Sequence, residues 1–126
     1  MLNNTSMSTR ILIVDDDPQI REIVRIMLKD YEVIEASNGK EAIMLYKTMR
    51  PDIVLMDIYM PGMDGVEATQ EILKINRNAI VIGLTAFTRT RGHELLEAGV
   101  KEIISKPFTR KILKETIERF IAKPVL

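Results

Sequence analysis

The sequence predicts an α/β domain in which five strand–helix units build one parallel sheet. Short β-branched apolar runs alternate five times with amphipathic stretches at helical spacing along the 126 residues, and the connections between them are short. Parallel strands need crossover helices, so we expect helices on both faces of the sheet. We expect this domain to occupy residues 10–123, after a loose or disordered polar tail at 1–9 and before a short C-terminal end at 124–126.

The first unit starts with "RILIV" at Arg10–Val14, a β-branched run that is typical of a strand buried on both faces. Asp17 and Pro18 follow, and they suit the N-cap and the first position of a helix. Apolar residues of that helix recur three and four positions apart, which predicts the apolar stripe of an amphipathic helix, consisting of Ile20, Ile23, Val24, Met27 and Leu28.

The second strand is predicted at Tyr31–Ala36. The third is predicted at Ile53–Met56, a short apolar run typical of a buried strand. Between them, Asn38 with Glu41 three residues later resembles a capping box, which indicates the start of the second helix. Pro51 cannot continue a helix, so we expect the second helix to stop before it.

The remaining units follow a turn-rich stretch, "DIYMPGMDG", whose glycines are typical of turns and whose Asp64 suits the cap of a third helix. The fourth strand is predicted at Ala79–Leu84 and the fifth at Glu102–Ser105. Gly99 is expected to end the helix between them. The last helix is predicted from an apolar stripe made of Ile112, Leu113, Thr116, Ile117, Phe120 and Ile121.

Composition excludes several classes of protein. The 18 basic and 18 acidic residues give a formal net charge of zero, which argues against direct nucleic-acid binding. Cysteine is absent, which excludes a disulfide framework or a thiolate metal site. No apolar stretch approaches the ~20 residues that cross a bilayer, and "MLNNTSMST" has no features of a secretory signal. We therefore expect a cytoplasmic protein without a membrane partner.

Polar residues with catalytic potential follow four of the predicted strands. In open α/β sheets the working crevice lies outside the carboxyl ends of the strands. The residues at those ends are Asp15, Asp16 and Asp17 after strand one, Asp57 after strand three, Thr85 after strand four, and Lys106 with Pro107 after strand five. Adjacent carboxylates raise one another's energy, and a hard divalent cation such as Mg²⁺, which prefers oxygen ligands, would relieve this. Asp17 is better explained as a helix cap than as a ligand.

Four segments, "ILIVDDDPQIREIV", "DIVLMDIYMPGMDG", "VIGLTAF" and "IISKPF", resemble the signatures of the receiver domain of response regulators in two-component signalling. They occur in the family's order with nearly its spacing, and the resemblance runs from Arg10 to the last helix. It implies a flavodoxin-like, doubly wound (βα)5 fold with the strand order 2-1-3-4-5.

The resemblance also implies a metal site. Asp16 would be a direct Mg²⁺ ligand, Asp15 would act through water, and Asp57 and the backbone carbonyl of Tyr59 would complete the protein ligands, with Mn²⁺ able to substitute. The charges balance, because three carboxylates would meet one divalent cation and the ammonium of Lys106.

In the family the reaction is phosphorylation. Asp57 would be the phosphoacceptor, taking a phosphoryl group from a phosphohistidine of a histidine kinase or phosphotransfer protein. Lys106 would pair with the phosphoryl group, Thr85 would donate a hydrogen bond to it, and the Lys106–Pro107 peptide would be cis. Such a domain is not an ordinary enzyme, but it would catalyse its own phosphorylation and dephosphorylation.

Signalling in the family depends on a switch, and here the sequence departs from the pattern. Ile103 stands where tyrosine or phenylalanine is usual, and its stiff β-branched side chain has no ring to rotate. We therefore expect Thr85 to shift on activation, Ile103 to stay in place and the loop with Phe87 to carry the change. A downstream partner would bind the face of helix four, strand five and helix five. Lys101 and Glu102 replace the acidic pair common in dimerising receivers, so a monomer is expected.

Other reactions fit the residues less well. A haloacid-dehalogenase-type phosphatase needs a second aspartate where Tyr59 stands, and three aspartates would repel the phosphate of a flavodoxin's cofactor. The phosphate-binding motif of P-loop nucleotidases is absent. The alternative that remains is a receiver that binds partners without being phosphorylated.

Overall fold

The computed structural model describes residues 9–86 and 88–121. Three predictions fall outside the described residues: the tail at 1–9 apart from Thr9, the C-terminal end at 124–126, and the position of Phe87. The side chains of residues 88–91 are likewise not described.

Five strands alternate with five helices along the chain. The strands are β1 (Arg10–Val14), β2 (Glu32–Ala36), β3 (Ile53–Asp57), β4 (Val81–Thr85) and β5 (Glu102–Ser105). The helices are α1 (Pro18–Met27), α2 (Gly39–Met49), α3 (Gly65–Ile75), α4 (Thr88–Ala98) and α5 (Arg110–Ile121). All neighbouring strands are parallel, in the order β2-β1-β3-β4-β5. The predicted fold class and strand order are confirmed.

Side chains on the two faces of the sheet form two separate cores, because successive residues of a strand point to opposite faces. In β1, Ile11 and Ile13 pack with residues of α1 and α5, whereas Leu12 and Val14 pack with residues of α2, α3 and α4. All four are fully buried. The central strands β1, β3 and β4 therefore lie between two layers of helices, and their carboxyl ends are held in fixed relative positions.

Four strand boundaries differ from the sequence prediction, each because of backbone hydrogen bonding. One is the end of β4, where Thr85 pairs in register with Ser105 of β5 and lengthens the strand by one residue. Tyr31 is excluded from β2, since its N–H donates to Leu28 in a turn after α1. The N–H of Ala79 similarly donates to Asn76, so β4 begins two residues later than predicted. Asp57 belongs to β3, because it pairs in register with Leu84 of β4. The strand thus carries Asp57 directly to the edge of the sheet.

The predicted N-caps are confirmed. The side chains of Asp17, Asn38 and Asp64 accept hydrogen bonds from the backbone N–H groups of Gln19, Glu41 and Glu67 at 2.9, 2.8 and 3.0 Å, respectively. The return bond of the capping box differs from the expected pattern, because Glu41 accepts from the N–H of Ser37 and not from that of Asn38. In the described part of the chain, no helix is both long and apolar enough to span a membrane.

Candidate active site

Three carboxylates meet at the carboxyl ends of β1 and β3, which are neighbours in the sheet. One oxygen each from Asp15, Asp16 and Asp57 lies within 4.8 Å of the others. Asp15 is 1% exposed and Asp57 is 6% exposed, whereas Asp16 is open to solvent. Three negative charges this close, two of them buried, repel one another strongly unless positive charge is present.

Lys106, which directly follows the edge strand β5, brings positive charge to the cluster. Its Nζ donates to Asp15 Oδ2 at 2.8 Å and to Asp57 Oδ1 at 3.4 Å. The backbone N–H of Lys106 also donates to the carbonyl of Thr85 at 3.1 Å, which fixes the start of the loop beside the end of β4. The Lys106–Pro107 peptide bond is cis. One ammonium offsets only part of the charge of three carboxylates.

The site perturbs the acidity of its members. Burial, followed by the charge of Asp15, raises the pKa of Asp57 to about 6, and the nearby Lys106 only partly opposes this. Burial by itself lowers the pKa of Lys106, but its hydrogen bond to Asp15 and the charge of Asp57 outweigh burial and raise that pKa overall. Because the ionised form of Asp57 is disfavoured, an additional positive charge beside it would stabilise that form.

The donor set fits a hard divalent cation. All the ligand atoms that the cluster offers are carboxylate oxygens, and Mg²⁺ typically binds through one or two carboxylates while keeping several waters. An open cleft of about 420 Å³ beside the cluster provides room for those waters. Tyr59 borders the same cleft. Asp17 also borders it, but its carboxylate caps α1, which agrees with its predicted role as a cap.

Comparison with known proteins decides the family. Residues 11–118 match the model of the response regulator receiver domain. The chain belongs to this receiver family. The four segments that resembled receiver signatures therefore belong to a genuine receiver, and its carboxylate cluster lies at the expected edge of the sheet.

Relatives of this receiver include proteins of chemotaxis and of sensor kinases. It is 43% identical over 121 residues to the chemotaxis protein CheY of Thermotoga maritima, a match that covers 90% of this chain and 98% of that protein. The receiver domain of a Pseudomonas aeruginosa sensor histidine kinase, which holds a magnesium ion in its active site cleft, has a TM-score of 0.86 and 31% identity, covering 92% and 99% of the two chains. The CheX–CheY complex of Borrelia burgdorferi with BeF3 and Mg is also similar, with a TM-score of 0.84 and 30% sequence identity. That match covers 94% of this chain and 93% of the other chain.

Two of the predicted switch residues share one face of the sheet. Thr85, the last residue of β4, is 1% exposed. Ile103 pairs with Gly83 in register and packs, half-buried, against the core that contains Leu95 of α4. Since alternate residues of a strand point the same way, Thr85 and Ile103 lie on the same side as α4. The third predicted switch residue, Phe87, is not among the described residues.

Sequence reasoning missed two residues that shape this receiver's site. Gly65 was interpreted only as a turn glycine, but a Cβ there would lie 2.2 Å from the carbonyl oxygen of Asp57, so only glycine lets α3 approach β3 this closely. Arg21 was not singled out, yet its Nη1 donates to the carbonyl of Asp15 at 2.7 Å. A signal for Arg21 existed in the sequence: it is a basic residue next to the apolar stripe of α1, one turn after the aspartates.

Proposed function

We propose that this receiver takes a phosphoryl group from a phosphohistidine onto Asp57, with Mg²⁺ bound among Asp15, Asp16 and Asp57, and thereby changes its binding to a partner protein. The observation that carries this proposal is the cluster itself: three carboxylates converge, and Lys106 contacts two of them. Magnesium and BeF3 in the related structures support it.

In the proposed transfer, a carboxylate oxygen of Asp57 forms a bond to phosphorus as the bond from phosphorus to the donor imidazole nitrogen breaks. That nitrogen keeps the electron pair and takes a proton. With a pKa of about 6, Asp57 is mostly ionised at neutral pH and so can act as the nucleophile. Hydrolysis of the aspartyl phosphate by water then releases phosphate and restores the carboxylate, which makes the domain a catalyst of its own phosphorylation and dephosphorylation.

The other side chains would stabilise the transferred group. Lys106 already reaches Asp57, so its ammonium is placed to bind a phosphoryl oxygen when Asp57 carries one. The hydroxyl of Thr85 would donate a hydrogen bond to another oxygen. Asp16, Asp57 and the carbonyl of Tyr59 would bind the cation directly and Asp15 through water, with Mn²⁺ as a substitute. The cation supplies positive charge against the charge that develops on the phosphoryl oxygens.

The proposed donor is a histidine kinase or phosphotransfer protein, and the proposed output partner binds the face formed by α4, β5 and α5. The complex of a related CheY with CheX supports a protein partner. On this face Arg119 of α5 makes two 2.9 Å bonds to the carboxylate of Glu102 in β5. Lys101 and Glu102 stand where dimerising receivers commonly have an acidic pair, so we propose a monomer. We propose a cytoplasmic protein that binds neither nucleic acid nor membrane directly.

A phosphodonor assay separates this function from a receiver that acts without phosphorylation. Wild-type protein, Asp57→Asn and Asp30→Asn are incubated with Mg²⁺ and acetyl phosphate, and intact mass is measured. We expect one phosphoryl group on wild type and on the Asp30 control, and none on Asp57→Asn. Wild type that stays unmodified, also with phosphoramidate as donor, would support the phosphorylation-independent alternative.

A further inference from the structure

We propose that Arg21 is a positioning residue for the acidic cluster, because its guanidinium fixes the backbone of Asp15 against Glu35. This inference rests on the proposed cation site. Arg21 lies on the first turns of α1 and Glu35 on β2, so the contact joins the two elements that flank the end of β1.

The guanidinium of Arg21 donates two hydrogen bonds, one to the backbone of Asp15 and one to the side chain of Glu35. Its Nη1 donates to the backbone carbonyl of Asp15 at 2.7 Å, and its Nε donates to Glu35 Oε1 at 2.8 Å. The planar guanidinium presents its donors in a fixed fork, so both contacts together define its orientation. The side chain of Arg21 is only 17% exposed and that of Glu35 only 32% exposed. The low dielectric of a partly buried site strengthens such charge-assisted bonds relative to surface pairs.

Both carboxylate oxygens of Asp15 already accept hydrogen bonds, so the contact with Arg21 adds to an ordered residue. Asp15 Oδ1 accepts the N–H of Asp17 at 2.9 Å, and Oδ2 accepts the ammonium of Lys106 at 2.8 Å. The N–H of Asp15 donates to the carbonyl of Ala36 at 3.1 Å. With Arg21 on the carbonyl, every polar group of Asp15 has a defined partner. The carboxylate oxygens of Asp15 are therefore held in position before any cation binds.

Arg25 provides an internal control. It lies one helical turn after Arg21 and its Nη1 contacts the other oxygen of Glu35 at 3.3 Å, but its side chain is 55% exposed. Both arginines therefore pair with the same carboxylate and carry the same charge, and the 2.7 Å contact with the Asp15 carbonyl belongs to Arg21. Comparing the loss of Arg21 with the loss of Arg25 therefore distinguishes the effect of the Asp15 contact from the effects of positive charge and of the salt bridge to Glu35.

An effect of charge and an effect of positioning would change Mg²⁺ affinity in opposite directions when Arg21 is removed. Removing a positive charge near a cation site strengthens cation binding by electrostatics alone. Releasing the backbone of Asp15, which would hold a cation-bound water and directly precedes the proposed ligand Asp16, weakens cation binding. Partners that orient metal ligands are typically worth about tenfold or more. The direction of the change in Mg²⁺ affinity therefore distinguishes the two roles.

The test compares wild type, Arg21→Ala, Arg21→Lys and Arg25→Ala. Mg²⁺ affinity is measured by titration of backbone amide NMR signals, and hydrogen exchange of the Asp17 amide is measured in EDTA. We expect about tenfold weaker Mg²⁺ binding in Arg21→Ala, faster exchange at Asp17, and wild-type behaviour in Arg25→Ala. Arg21→Lys keeps the charge but not the fork, so we expect it to share most of the loss.

The outcomes are separable. If Arg21→Lys binds Mg²⁺ as wild type does, or if Arg21→Ala binds it more tightly, the positioning role is wrong while the cation site stands. Equal losses in Arg21→Ala and Arg25→Ala would overturn it as well, since only the shared salt bridge would then matter. If wild type itself does not bind Mg²⁺, the proposed function fails before the role of Arg21 is reached.

Discussion

Replacing Asp57 with asparagine is expected to stabilise the metal-free protein in a pH-dependent way. The pKa of Asp57 is raised from 3.8 to about 6 by burial and by Asp15. Its ionised form is therefore disfavoured in the folded protein, and the difference corresponds to roughly 3 kcal/mol. Asparagine has nearly the same shape but cannot ionise, so Asp57→Asn should gain approximately this amount of unfolding free energy at pH 7.

The sign of the pH dependence follows from the raised pKa. Between pH 4 and pH 6 the folded protein binds a proton at Asp57 more tightly than the unfolded chain does, so wild-type stability falls as pH rises through this window. The advantage of Asp57→Asn should accordingly be about 3 kcal/mol at pH 7 and shrink to below about 1 kcal/mol near pH 4. Millimolar Mg²⁺ should also reduce the stability advantage of Asp57→Asn, because a bound cation would relieve the repulsion between Asp57 and Asp15 in wild type.

Urea unfolding in EDTA at several pH values measures this difference, and Asp30→Asn is the matched control. Asp30 is exposed and pairs with Lys114 at 3.2 Å, so its replacement should change stability little, as for other exposed ion pairs. If Asp57→Asn is no more stable than wild type at pH 7, or if its advantage is the same at pH 4, the reasoning about a repulsive buried carboxylate is refuted.

Three further predictions concern the cation, the packing of α3 and the switch. Mg²⁺ should raise the melting temperature of wild type by preferential binding to the folded state, and Asp16→Asn should remove most of that rise; an equal rise in both would contradict the ligand role. Gly65→Ala should lose about 3 kcal/mol on urea unfolding, because its Cβ would clash with the Asp57 backbone. Gly62→Ala, whose Cβ meets nothing within 4 Å although φ is +77°, should lose only about 1 kcal/mol. Finally, Ile103 should keep its rotamer when beryllofluoride is bound, as side-chain NMR couplings will report, and a rotamer change there would contradict a switch carried by the loop after β4.

Several parts of this receiver were predictable from the sequence because they depend on local pattern. Apolar periodicity and caps such as Asp17 and Asp64 located the helices and strands, and the polar residues at strand ends located the candidate site. The meeting of Asp15 with Asp57 depends on β1 lying beside β3, and chain periodicity does not specify strand order. That order came from the resemblance to receivers.

Other parts depend on three-dimensional contacts that a linear pattern does not encode. The side chain of Arg21 could have pointed to solvent, and only the packing of α1 brings it to the Asp15 carbonyl. In the sequence, Gly65 looks like an ordinary turn glycine. Its role becomes clear only from how closely α3 approaches the backbone of Asp57. Strand ends at Tyr31 and Ala79 were wrong by one or two residues because turn hydrogen bonds compete there with strand pairing.

Localisation of the phosphoryl group tests the central claim most directly. Wild-type protein is treated with phosphoramidate, whose nitrogen–phosphorus bond resembles that of phosphohistidine, with Mg²⁺ or with EDTA, and the modified residue is identified by peptide mass spectrometry. We expect a single phosphoryl group on Asp57 with Mg²⁺ and essentially none in EDTA. Modification at any other residue, or equal modification of Asp57 without a divalent cation, would contradict the proposed phosphoacceptor site.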